Sequence, residues 1–191
     1  MNYTLLSCFS ALLFASYAHA EGNLRFATNA PPVVVLCDQY DAIQKLAFPG
    51  TNAVLLIIAD HKGSRQVADW VRAIQPFCQG QTAIYGLADV RGVPTAFHSR
   101  IRDAFQFDCK YPVMLDWAGK CCDQFGYQPG VANLVFIRAD GTISSRVTGA
   151  ASENSLAKAR ACLAAAAEKK TSREIDTRRK EPTYEGERVS F

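Results

Sequence analysis

Hydrophobic positions gather into three near-continuous runs in the middle of the chain: Val54-Leu55-Leu56-Ile57-Ile58, Thr82-Ala83-Ile84-Tyr85-Gly86-Leu87 and the shorter Pro112-Val113-Met114-Leu115. Unbroken runs of that length predict parallel strands buried on both faces, because a strand with one wet face would alternate. Between them the spacing becomes helical. Val67, Trp70, Val71 and Ile74 recur on one face of a helix predicted over 65–74, with Ser64 as its cap. Pro94 suits the first turn of a second helix reaching Phe105, with Phe97, Ile101, Ala104 and Phe105 turned inward. A short third helix is predicted over 120–125 and ends at Gly126.

Beyond that point the alternation gives way to a hairpin. Residues 133–137 and 142–147 read as two strands joined through Ala139-Asp140-Gly141, and Asp-Gly is a strong short-range hairpin signal. Ser152 caps a last, Ala-rich helix to about residue 168 with Leu156 and Leu163 on its apolar side. A strand over 33–36 and a short helix over 42–46 are predicted ahead of the core. This order implies an α/β domain, a mixed central sheet with helices on both faces. Residues 169–191 carry mixed charge with almost no apolar positions and are expected to lack structure.

The first twenty residues belong to a different class. Leu5 to Tyr17 is an apolar run of signal-peptide length, and Ala18-His19-Ala20 fits the small-x-small cleavage rule, which would leave Glu21 first. The run is short of the roughly 20 apolar residues that span a bilayer. A lipid anchor at Cys8 is the alternative, but Cys8 precedes most of the apolar run instead of following it. The expected organisation is therefore a signal peptide over 1–20, one domain over 21–168, and a charged tail over 169–191, with a periplasmic or secreted destination. No other segment is long enough to cross a membrane. The net charge of +3 is spread among interspersed acids and bases, which gives no argument for nucleic acid.

Three segments carry a family resemblance. Tyr111-Pro112-Val113-Met114-Leu115-Asp116, then Gly119 and Phe125-Gly126, resembles the redoxin pattern of Pro, apolar strand, Asp, Gly and an aromatic-Gly pair. Val131 to Gly141 looks like the redoxin segment that begins at a cis-proline and ends in Asp-Gly, and Leu55 to Arg65 looks like the first core strand entering the active-site helix. Over residues 33–167 the chain thus resembles the thioredoxin-like superfamily, redoxin branch, and within it small periplasmic YtfJ-type proteins that lack the redox pair. The resemblance implies a thioredoxin-like three-layer sandwich.

The departures bear on function. Redoxins place Cys-x-x-Cys or a peroxidatic Cys where the first strand enters its helix, because the helix N-terminus favours the reactive thiolate. Here that stretch reads Asp60-His61-Lys62-Gly63-Ser64-Arg65, with Lys62 and Arg65 at the two cysteine positions. Ala132 stands at the cis-proline position. A cis bond ahead of a non-proline residue costs about 2.5–4 kcal/mol, so Val131-Ala132 is expected to be trans. Pro129, three residues upstream, is the alternative if the register is shifted.

Without Cys8, six cysteines remain: Cys37, Cys78, Cys109, Cys121, Cys122 and Cys162. Cys78 and Cys109 each precede a parallel strand and so share one sheet edge, which makes them the candidate disulfide, with two free, partly buried thiols as the alternative. A loop of about thirty residues closed this way would contribute roughly 3–4 kcal/mol. Cys121 and Cys122 follow the third strand toward the other edge, and three readings stand beside each other for them: packing or a structural bridge, redox chemistry, or metal. Lys62, Gly63, Ser64 and Arg65 offer helix-N-terminal amides, a hydroxyl and two cations, the ingredients of an anion site, against the plainer reading of a solvated loop. His61 and His98 show no ligand spacing, so no metal is expected, and no cofactor. The functional expectation is an exported thioredoxin-fold protein without the usual dithiol, binding or assisting an exported or periplasmic protein. The alternative is a thiol–disulfide oxidoreductase using non-standard cysteines.

Overall fold

The computed structural model describes residues 33–78 and 80–179, with side chains to residue 166. The signal-peptide expectation over 1–20 and the last part of the tail, 180–191, fall outside the described residues. Three parallel strands, β3 (Ala53–Ala59), β4 (Thr82–Asp89) and β5 (Val113–Asp116), form where the apolar runs predicted them. With β6 (Asn133–Ile137) and β7 (Ile143–Thr148) they make one sheet in the order β5-β4-β3-β6-β7. β3 pairs in parallel with β4 and antiparallel with β6, so it is the centre of the sheet, and all seven of its residues are buried.

The crossovers β3–α1–β4 and β4–α2–β5 put α1 (Ser64–Ile74) and α2 (His98–Asp108) on one face. There Leu55 and Ile57 of β3 pack with Trp70 and Ile74 of α1 and with Ala159 and Leu163 of the last helix, α4 (Glu153–Arg179). Farther along the same face, Ile101 and Phe105 of α2 pack on Ala88 and Leu115. The other face carries Val54, Leu56, Ile58, Leu87 and Met114, covered by α3 (Lys120–Gln124) and by an N-terminal hairpin through Val34 and Leu46. Helices thus lie on both faces of a mixed sheet, as the element order implied.

Several expectations need correction. The segment 42–46 is not a helix: Ile43–Leu46 is strand β2, paired antiparallel with β1 (Val34–Cys37). Phe97 and Ala104 do not face inward; both are exposed. A 3-10 turn over Thr95–Phe97 precedes α2, and its tighter winding takes Phe97 out of phase with Ile101 and Phe105. α4 continues through 169–179, where no structure was expected, in a stretch with no Gly or Pro to stop it. Ser152 does cap α4, its Oγ accepting from the Ser155 amide at 3.3 Å. The β6–β7 turn closes at Gly141, whose φ of 89° suits glycine.

Candidate functional site

Each of the three parallel strands ends in an aspartate. Asp60 follows Ala59, Asp89 closes β4 and Asp116 closes β5; Ala59 is in register with Ala88, and Asp89 with Asp116. The carboxyl ends of parallel strands are where open α/β sheets present their sites, and the loops that meet here are those ahead of α1, ahead of α2 and ahead of β6.

Asp60 organises the first of these loops. Its Oδ1 accepts from the Gly63 amide at 2.7 Å, and its backbone carbonyl accepts from the Ser64 amide at 2.8 Å. Its Oδ2 accepts from the Gly130 amide at 2.8 Å, in the loop ahead of β6. The Lys62 amide and the Tyr127 hydroxyl also favour its ionised form. Burial alone would push this carboxyl up, but the Gly63 and Gly130 amides, the Tyr127 hydroxyl and the Lys62 amide outweigh it and hold the acid below its ordinary value. Burial first, then the Asp60 and Asp89 carboxylates, raises the Tyr127 phenol.

This arrangement bears on the anion-site expectation for Lys62, Gly63, Ser64 and Arg65. The Gly63 amide is already taken by the Asp60 carboxylate and the Ser64 amide by the Asp60 backbone carbonyl. Ser64 is not the cap of α1: Gly63 holds the N-cap position, and Ser64 Oγ donates to the His61 carbonyl at 2.9 Å. The Lys62 and Arg65 side chains are exposed, which fits the solvated-loop alternative.

The loop ahead of β6 is closed against the same place. A Cβ on Gly63 would lie 2.6 Å from the Val131 carbonyl carbon and 3.1 Å from the Ala132 nitrogen, so only glycine lets the two backbones approach. The Ala132 amide donates to Gln66 Oε1 at 3.0 Å, and Asn133 Nδ2 donates to the carbonyls of Gln128 and Val131. Ala132 is fully buried. Its peptide bond is trans, as expected, and so is that of Pro129; the cis bond among the described residues is Phe48-Pro49.

Arg91 binds the second loop to α3 and its N-cap. Its Nε donates to Asp89 at 2.9 Å, its Nη2 to Asp123 at 2.7 Å and to the Gly119 carbonyl at 3.1 Å. Those bonds, to Asp123 first and Asp89 second, raise its guanidinium. Gly119 has φ 71° and lies against the guanidinium, leaving no room for a side chain.

No described cysteine reaches the α1 loop. Cys122 is fully buried on the α3 side of the sheet, and its amide donates to Asp116 Oδ2 at 2.9 Å. Burial first, then the Asp116 and Asp89 charges, push its thiol far up. Cys121 is half-buried and is raised by burial and Asp116. Both therefore favour the thiol over the thiolate that redox exchange requires. All six described cysteines are free, so the candidate Cys78–Cys109 bridge is not formed in this structure. Cys78 and Cys109 do each precede a parallel strand. Cys78, however, is packed with Trp70 and Ile74 and its Sγ lies 3.6 Å from the Ile74 carbonyl, whereas Cys109 belongs to none of that cluster. Among the described residues no group of acids, histidines and cysteines is placed to hold a metal, and no helix is long and apolar enough to cross a membrane.

Sequence reasoning passed over Asp60, Tyr127, Gln66 and the Asp89–Arg91–Asp123 group. One signal was available: each predicted parallel strand is followed within two residues by an aspartate.

No protein-family model and no curated protein matches the sequence. Solved structures do match. The pneumococcal exposed lipoprotein thioredoxin from Streptococcus pneumoniae superposes with a TM-score of 0.53 at 14% identity, over 68% of this chain and 98% of that one. StoA from Bacillus subtilis gives 0.54 at 9% identity, over 71% and 98%. A thiol:disulfide interchange protein of the thioredoxin family from Chlorobium tepidum gives 0.52 at 16% identity, over 74% and 98%. The chain has the thioredoxin fold. At these identities the likeness extends to the fold and no further.

Proposed function

We propose that this is an exported thioredoxin-fold protein that binds or assists a periplasmic or secreted partner and does no dithiol chemistry at the usual place. One observation carries the reading: the loop entering α1 has no thiol, and the Asp60 carboxylate holds the Gly63 amide at the start of that helix. The likeness to YtfJ-type periplasmic proteins, which rests on sequence motifs, agrees with it. The alternative, a thiol–disulfide oxidoreductase working through Cys121 or Cys122, draws on the fold's company, since a thiol:disulfide interchange protein shares it. Against it stand the raised thiols of both residues.

Insulin reduction and peroxide consumption by the purified protein, beside a dithiol thioredoxin as positive control, separate the two. The binding reading expects turnover indistinguishable from the protein-free blank. Turnover that disappears in Cys121→Ser or Cys122→Ser would replace it with the oxidoreductase.

A further inference from the structure

The other end of the sheet, where the parallel strands begin, is less completely covered. β5 pairs with β4 from Gly86 to Asp89, so Thr82 to Tyr85 have β3 on one side and no described strand on the other. Across this corner the chain leaves β2 at Leu46 and reaches β3 through residues 47–52. The Gly50 amide fixes that connection by donating to the Ala139 carbonyl at 2.7 Å. Between the connection and the starts of β3 and β4 lies a cavity of about 190 Å³, partly open to solvent. Leu46 and Val54, buried in the core, and Phe48, Ala83 and Tyr85, packed against it, supply apolar wall. Lys45 is exposed and lines the cavity as well; among the described lining residues it alone is charged, and no acid is present. Nor does Lys45 pair with an acid elsewhere among the described residues.

We propose that this cavity is a binding site for a small organic carboxylate, held with its carboxylate at Lys45 and its carbon skeleton against Leu46, Val54 and Ala83. The site lies at the end of the strands opposite Asp60 and depends on neither function proposed above. Size limits the ligand. An engineered cavity of about 150 Å³ takes benzene, so this one suits a molecule of about eight or nine non-hydrogen atoms. Charge sets its sign, because a lone ammonium beside an apolar wall attracts an anion and repels a cation. The donors set its headgroup: the Lys45 ammonium and the Tyr85 hydroxyl can both donate, and a carboxylate only accepts. A bare inorganic anion would satisfy Lys45 but leave the apolar wall in water, which an organic acid covers.

Titration of benzoate into the isotope-labelled full chain at neutral pH, followed by amide chemical shifts, tests this. Benzoate is expected to give saturable shifts at Leu46, Asn52, Ala83 and Tyr85 with a millimolar Kd. Benzamide, its neutral isostere, should bind about tenfold more weakly. Lys45→Met changes an exposed position and should weaken benzoate by about the same tenfold while leaving benzamide as it was. Ala83→Leu fills the cavity and should abolish the binding of both; if that variant does not fold, Lys45→Met decides. Absence of saturable shifts, or shifts confined to other parts of the chain, would overturn the site. Equal affinity for benzoate and benzamide, or unchanged benzoate affinity in Lys45→Met, would overturn the role of the carboxylate and with it the proposal. Inorganic phosphate that reproduces the same shifts at the same concentrations would also overturn it, leaving a site for bare anions only.

Discussion

Gly63 is the residue on which the close approach of the loops ahead of α1 and ahead of β6 depends, and its reason is steric, not conformational. Its φ of −65° is helical, so the backbone conformation itself would admit alanine. The Val131 carbonyl leaves that Cβ no space. Gly63→Ala is therefore expected to lose about 1–3 kcal/mol in urea denaturation, as overpacked sites do. Gly130→Ala makes the contrast: open space surrounds it, but its φ of 83° costs an L-residue roughly 1–2 kcal/mol. A Gly63→Ala protein as stable as wild type would mean the two backbones do not stay in contact. The cysteines give a second prediction at this scale. Cys37 is exposed, whereas Cys78 and Cys122 are buried with raised thiols. Timed alkylation of the native protein should label Cys37 first and Cys122 last, with both buried thiols reacting only once denaturant is added. Labelling of Cys121 or Cys122 ahead of Cys37 would reveal an activated thiol and favour the oxidoreductase.

Among the elements, the N-terminal hairpin shows where local pattern and tertiary structure part. Ala42-Ile43-Gln44-Lys45-Leu46 are mostly good helix formers, and on propensity alone they read as a helical turn. Asp38 decides otherwise. Its Oδ1 accepts from the amides of Tyr40 and Ala42 at 2.8 and 3.0 Å, and its Oδ2 from Gln44 Nε2 at 2.8 Å. These bonds build a turn, with Asp41 at φ 57°, that sends the chain back beside β1 and buries Leu46 opposite Val34. Asp38→Ala takes the shared acceptor from three part-buried bonds and should cost about 1–3 kcal/mol in a urea melt, with Asp38→Asn in between. Equal stability of Asp38→Ala and wild type would return the hairpin to its flanking contacts. The same division runs through the rest of the chain. β3, β4, α1 and the β6–β7 hairpin were legible because periodicity and an Asp-Gly turn report local burial. The site was legible only in what it lacks, a thiol at 62 or 65. Its occupant, Asp60, draws half its meaning from Gly130 and Tyr127, and no local pattern ties residues so far apart.

At the scale of the whole molecule, the two faces of the sheet are sealed by α1, α2 and α4 on one side and by α3 and the hairpin on the other, while the carboxyl ends of the strands are joined by charge. A molecule held that way along one rim should answer to acid there. The Asp60 carboxyl is depressed in the folded state, so folding is favoured by this group while it is ionised in both states, at pH above the unfolded value near 3.9. As pH falls below that value and through the lower folded one, the unfolded chain takes up the proton first, and the contribution is lost. Asp60→Asn has no proton to take up. Its stability should therefore be lower than wild type at neutral pH, and the gap should narrow steadily as pH drops below about 4. Urea midpoints for both proteins between pH 7 and pH 3 read this directly, and subtracting one curve from the other removes the carboxylates they share. A gap that stays constant across that range would mean that Asp60 titrates alike in both states, and the hydrogen bonds from Gly63, Gly130, Lys62 and Tyr127 could not then be holding it ionised.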